Sequence, residues 1–280
     1  MKILSLLLAA FVLAAPMYAQ SAAATGAAAA DESSAKTGVR FVIVAPNGGS
    51  LPNPLFCKQG KAYKEIKISS RTPSLRVKPE GGVVNFYPSD PTAAVAAAQG
   101  AAGKTPAKAD KVEMPKPVLS VTVPGSASKM LCILVPSKDG GTPQTFFLNE
   151  KDFPKGGLHI INFSPNKLVM SISEDPTNPA AKKDSVIGVF KRDAAISAEN
   201  TWSFKSDENG KEVSFKLSYL PKDGKNEKDL KLVRASKFVV STRQSQINIV
   251  VKTSDKDAAR ETFRLMPIQL SGDRGAAAEE

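Results

Sequence analysis

The sequence predicts an all-β protein organised as one or two antiparallel β-sandwiches, and three observations carry that reading. Short apolar, partly β-branched runs recur about every 8–12 residues, separated by Gly, Pro and Asn turn signals. Lys129–Pro136 (KMLCILVP) is the most continuously apolar run outside the N-terminus. Its length suits a strand buried on both faces and is too short for a core helix. Tyr63–Ser69 (YKEIKIS) sets Ile66 and Ile68 on one face and Glu65 and Lys67 on the other, the pattern of a strand with one face in water.

The chain opens with Met1-Lys2, an apolar run from Ile3 to Ala15, and then small residues around Ala19. A charged start and a short apolar core describe a secretory signal peptide, here 1–19, too short to remain as a bilayer-spanning helix. Gln20–Thr37, rich in Ala, Ser and Thr, reads as a flexible tether. No later apolar stretch approaches the length of a membrane span, so no transmembrane segment is expected after signal removal.

Strand-like runs follow in order. Val39–Ala45 ends at Pro46-Asn47-Gly48-Gly49, and Leu55–Lys58, Tyr63–Ser69, Ser74–Lys78 and Val83–Tyr87 complete a first group. The stretch 91–115 is alanine-rich and then polar, a composition that buries little apolar surface. It reads as an excursion within the first sandwich, assigned to 38–175. Val118–Val123, Met130–Val135, Thr145–Leu148, Leu158–Phe163 and Leu168–Ser173 come next. A second β-rich region, 176–270, holds Val186–Phe190, Thr201–Phe204, Val213–Leu220, Leu232–Val240, Ile247–Lys252 and Thr262–Ile268. Asp193–Asn200 and Asp255–Glu261 are expected as single helical turns, and 271–280 as a disordered tail. A faint repeat links Val44-Ala-Pro-Asn-Gly-Gly to Val135-Pro-Ser-Lys-Asp-Gly-Gly, each following an apolar strand.

Several short motifs share one layout: Val121-Thr-Val-Pro124, Leu131–Pro136, Asp152-Phe-Pro-Lys-Gly-Gly157, Ile161-Asn-Phe-Ser164, Trp202 and Ser241-Thr-Arg243. In these the chain resembles uncharacterised exported bacterial proteins with Ig-like β-sandwich cores, over roughly Val39–Leu270. The resemblance implies an Ig-like form for the sandwiches. It brings no activity or ligand.

Cys57 and Cys132, each beside apolar residues, are the only cysteines. In an oxidising compartment they are expected to form a disulfide, worth about 4–5 kcal/mol in the chain-entropy view. His159 is the only histidine. One histidine cannot build a copper site of two histidines and a cysteine, and there is no Cys-x-x-Cys for zinc, so no metal or other cofactor is expected. No Gly-x-Ser-x-Gly elbow marks a nucleophile, and catalytic residues are not expected.

The chain carries a net charge of +11, falling to +10 once Lys2 leaves with the signal. Such a balance attracts anionic polymers. Lys222, Lys225, Lys228 and Lys231 cluster in one turn and are the candidate ligand-binding cations, although acids intersperse them. Arg243 joins them because it stands between two apolar runs, and Trp202 because it is the single tryptophan. Aromatics do not interleave with the lysines, which argues against specific nucleic-acid binding. The expected function is a non-catalytic exported module, periplasmic or extracellular, that binds a protein partner at the cell envelope. The alternatives are an anionic glycan- or lipopolysaccharide-binding module, and a glycoside hydrolase working through paired carboxylates.

Overall fold

The structure, a computed structural model, describes residues 37–46, 49–93, 95, 115–125, 129–174, 182–190, 196–221, 223–253 and 262–271. The expected signal peptide, tether, C-terminal tail, Asp255–Glu261 turn and most of the 91–115 excursion lie outside these residues.

Four sheets form. The first outer sheet has the order β3-β2-β4-β5, from β2 (Phe56–Gln59), β3 (Ala62–Glu65), β4 (Val83–Tyr87) and β5 (Leu119–Thr122). The first inner sheet is β1-β6-β7, from β1 (Gly38–Ile43), β6 (Lys129–Val135) and β7 (Gln144–Asn149). The second inner sheet is β11-β8-β14-β15, from β8 (Gly157–Asn162), β11 (Thr201–Lys205), β14 (Gln244–Thr253) and β15 (Thr262–Ser271). The second outer sheet is β10-β9-β12-β13, from β9 (Leu168–Ser173), β10 (Lys182–Ile187), β12 (Glu212–Tyr219) and β13 (Lys231–Val239).

Side-chain alternation stacks these sheets into four layers. On β1, Val39 and Phe41 join Cys57, Val84, Phe86 and Val121 in the core under the first outer sheet. Val42, together with Leu131, Ile133, Phe146 and Leu148, faces the other way. There it meets Ile161, Ile247, Ile249, Ile268 and Leu270 of the second inner sheet. Leu158, Ile160 and Val250 then point outward to Leu168, Met170, Val213, Leu217 and Phe238 of the second outer sheet. Both inner sheets are therefore apolar on two faces, which explains the unbroken apolar runs of β6 and β8. β6, expected as a central strand, lies between β1 and β7.

The sandwiches are mostly antiparallel, with one parallel pair in each inner sheet. β6 runs parallel to β1, with Phe41 opposite Cys132, and β14 runs parallel to β8, with Ile249 opposite Ile161. The repeated turn motifs leave the C-terminal ends of β1 and β6, so they lie side by side. Val44 donates its N–H to the Leu134 carbonyl at 2.9 Å, and a side chain on Gly49 would press on Pro136.

The sheets divide between β7 and β8, at 150–156, ahead of the sequence boundary at 175. The reason is pairing: β8 sits between β11 and β14, and β9 between β10 and β12. β4 and β5 pair directly, so the 91–115 segment leaves and re-enters one sheet. Ser74–Lys78, expected as a strand, contributes only a bridge from Val77 to Val39. It serves as a cover for the edge of β1. β10 begins earlier than the expected Val186–Phe190.

The expected disulfide is not formed. Cys57 and Cys132 are both free thiols, fully buried in the same core between the first two layers. They pack as small apolar side chains, and burial raises both thiols above their usual pKa, Cys132 by far the more. A protonated, inaccessible thiol is a poor nucleophile. Both cysteines should resist a thiol reagent in the native protein, and both should label in denaturant without any reductant.

One buried charge cluster pins the rim of the inner-sheet interface. Arg40 shares a face of β1 with Val42 and donates from Nε and Nη2 to the two carboxylate oxygens of Glu150, at 2.8 and 2.7 Å. Arg76 adds a bond from Nη2 to Glu150 Oε2 at 2.8 Å and another from Nη1 to the Gly38 carbonyl at 3.1 Å. The side chains of Arg40, Arg76 and Glu150 are only 11%, 6% and 10% exposed. Glu150 opens the connection from β7 to β8, so the cluster ties that connection to β1 and to the strap at Arg76. Glu150→Gln removes the negative charge that both buried guanidinium groups share and should cost about 3–5 kcal/mol in denaturant unfolding. Glu80→Gln, which loses only the exposed pair with Lys58, should barely move the midpoint.

Candidate binding surfaces

The candidate basic turn precedes β13. Lys225, Lys228 and Lys231 are exposed, and Lys222 lies outside the described residues. The acids among these lysines build the turn itself. The Asp229 carboxylate accepts from the N–H groups of Lys225 and Asn226 at 2.8 and 3.0 Å. Those bonds hold its carboxyl below the usual range. Arg243 is exposed in the turn from β13 to β14, where Asn209 accepts from the Thr242 N–H at 3.2 Å. Trp202, on β11 opposite Ile160, is half-buried against the outermost C-terminal core. Tyr219 packs on Phe263, with ring centroids 4.4 Å apart. The structure thus gathers Lys225, Lys228 and Lys231 around one strand end and leaves Arg243 and Trp202 elsewhere.

β13 was legible as a strand but not as an edge. It borders the second outer sheet, pairing only with β12, and its three charged residues, Lys231, Arg234 and Lys237, are all cationic. Leu232 and Val239 are 57% and 58% exposed. Leu217 opposes Arg234 while Ser218 opposes Leu232, so Val233 is an extra residue, a β-bulge. Lys237 reaches across to Glu212 on β12 at 2.5 Å.

The other edges are covered, interrupted or shorter: β10, at the opposite side of the same sheet, has six residues, mixes Lys183 with Asp184 and exposes Val186. Backbone bonds from Ser74 and Val77 cover β1. β15 carries Pro267 near its middle and meets the Arg71 carbonyl at Gln269, 3.5 Å away. β3 and β5 have four residues each. β7 and β11 border a cavity.

That cavity, of about 420 Å³, opens at the rim between the two inner sheets. Leu148, Phe153 and Ile196 supply its apolar wall, and Asp152, Thr201 and Ser203 its polar one. Behind Ser203 lies His159, its cross-strand neighbour, buried and edge-on to Phe153. His159 Nδ1 and Ser203 Oγ are 2.8 Å apart. Nε2 is buried without a well-formed hydrogen bond, and the Pro154 carbonyl beside it favours a proton there only weakly. Gly157 makes this approach possible, because a Cβ there would collide with the imidazole and with the Pro154 carbonyl. Burial lowers the histidine to about 4, so the ring is neutral at physiological pH. A second cavity, of about 60 Å³ beside Tyr63 and Tyr87, has room for little more than a water or two.

No group of three or more His, Cys, Asp or Glu side chains among the described residues is placed to hold a metal ion. No helix among them is long and apolar enough to cross a membrane. No known protein family matches the chain, and no curated protein does.

His159 makes stability depend on pH with a definite sign. Its unfolded pKa is near 6.5 and its folded value near 4, so between them the unfolded chain binds a proton that the native protein refuses. The protein should lose stability as pH falls from about 6.5 to 4, by up to about 3 kcal/mol from this residue. His159→Gln should flatten that part of the curve in urea titrations at a series of pH values.

Proposed function

We propose that the protein is a non-catalytic module, exported to the cell envelope, that binds an extended segment of a protein partner along the free edge of β13. The observation that carries this reading is the contrast between edges. Covering chain closes β1, a proline interrupts β15, β10 is six residues long with mixed charge, and the nine-residue β13 offers its backbone from Arg234 to Val239. An added strand gains main-chain hydrogen bonds from such an edge and takes specificity from alternate side chains. Exposed Leu232 and Val239 supply apolar contacts at either end.

Charge sets the kind of partner. Lys231, Arg234 and Lys237 repel a second copy of the same strand, and the Val233 bulge disrupts flat edge-to-edge pairing. An acidic strand meets no such repulsion. The basic turn at Lys225 and Lys228 extends the same field beyond the start of β13. A net charge of +11 assists encounter with an acidic partner without specifying it.

The test is site-specific photocrosslinking from positions 232 and 239 in native cells, with position 269 on β15 as control. One protein species, caught from β13 and not from β15, is the expected result. Successive residues of a strand aim their N–H groups to opposite sides, so Ala235→Pro and Ser236→Pro remove one donor inside the sheet and one on the open edge. One of these variants should keep its melting temperature and lose the crosslink. Because main-chain bonds hold the partner, the complex should survive high salt. Capture of glycan or lipopolysaccharide alone, lost as salt rises, would replace this reading with an anionic-polymer one.

A further inference from the structure

The 420 Å³ cavity between the inner sheets is separate from β13, and a single ionisable side chain lines it. Thr201 donates its hydroxyl proton to the Ser197 carbonyl at 2.8 Å, and Ser203 Oγ is hydrogen-bonded to His159 Nδ1 at 2.8 Å. Both hydroxyls on this face of β11 therefore have a protein partner and keep oxygen lone pairs for a ligand. Asn149 and Ser197 complete the polar lining.

Asp152 adds two more acceptors. It is the only ionisable residue lining the cavity, it is exposed, and it has no ion-pair partner among the described residues. A carboxylate left alone against an aromatic wall is notable on a chain of net charge +11. Phe153, Leu148 and Ile196 give the cavity an apolar side with one aromatic ring. Its volume falls in the range of sites for small organic molecules.

We propose that this cavity is a binding site for a small organic ammonium ion, an amine carried on an aromatic or branched aliphatic body. Its N–H groups meet the Asp152 carboxylate and the lone pairs of Thr201 and Ser203, and its body lies against Phe153, Leu148 and Ile196. Three ammonium donors match these acceptors, and an aromatic face adds attraction for the cation. A carboxylate ligand of the same shape meets repulsion from Asp152.

Isothermal titration calorimetry on the full chain tests this with three probes: phenethylamine, 3-phenylpropionate and methylammonium. Saturable binding is expected for phenethylamine alone, because the propionate carries the wrong charge and methylammonium lacks the body. Asp152→Asn should weaken phenethylamine by about tenfold, the worth of one charge-assisted hydrogen bond. Asp152 is exposed, so this variant should melt with the wild type, and Ala198→Trp, at an exposed lining position, offers a second variant that fills the cavity and abolishes binding. Equal binding of the propionate, equal binding of methylammonium, or phenethylamine binding that survives Asp152→Asn would each overturn the assignment. So would the absence of any phenethylamine binding to a folded protein.

Discussion

The protein depends on one apolar layer, the contact between its two inner sheets. Val42, Leu131, Ile133, Phe146 and Leu148 on one side meet Ile161, Ile247, Ile249, Ile268 and Leu270 on the other. Each such side chain, fully buried, contributes about 1.5–3 kcal/mol. A contact of this kind is far more apolar than the interfaces of domains that merely touch, and it removes relative motion as an expectation. The two sandwiches are in effect one stack of four sheets. The outer sheets show the cost of their position: their strands alternate, because one face must meet water.

This layer governs what lies at its rim. The Arg40–Glu150–Arg76 cluster and the cavity at Asp152 and Ser203 occupy places where the apolar contact runs out. In the cluster, one carboxylate compensates two guanidinium groups with bidentate geometry, and a backbone carbonyl satisfies another donor. At the cavity the sheets part, and polar side chains face an open volume. Both features use the same short connection, Glu150 to Phe153. The residues that join the two sandwiches are thus also the residues that shape the site between them.

The all-β class was legible because its signals are local. A run such as Met130–Val135 announces burial on both faces by itself, and most strands followed from apolar runs between turn residues. Pairing was not legible. The parallel partnership of β1 with β6 joins segments separated by the whole first outer sheet, and nothing local in either strand records it. The faint turn repeat was its one trace. The disulfide expectation failed for a related reason. Two buried cysteines in one core satisfy the same composition whether bonded or free, and the geometry that separates these cases is tertiary. At the candidate sites, sequence favoured the lysines because charge is visible there. Asp152 and Ser203 carry no motif, and their meaning comes from the fold that sets them beside Phe153 and His159.

Charge, the most conspicuous property of the chain, is therefore informative only after topology is known. Lysines spread over a surface say little, and those in the Lys225–Lys231 turn are held among acids that do structural service. On β13, in the proposed reading, the same residue type acquires a function because the strand ends a sheet. There a cation both deters a like strand and invites an acidic one. At the rim cavity the reverse holds: one acid, on a basic protein, marks the place where cationic ligands are favoured. Two surfaces of opposite sign on one stack need not compete, because as proposed one would read a backbone and the other a small molecule's head group. What separates them physically is the second sandwich itself, with its strand edge turned to solvent and its inner sheet turned to its neighbour.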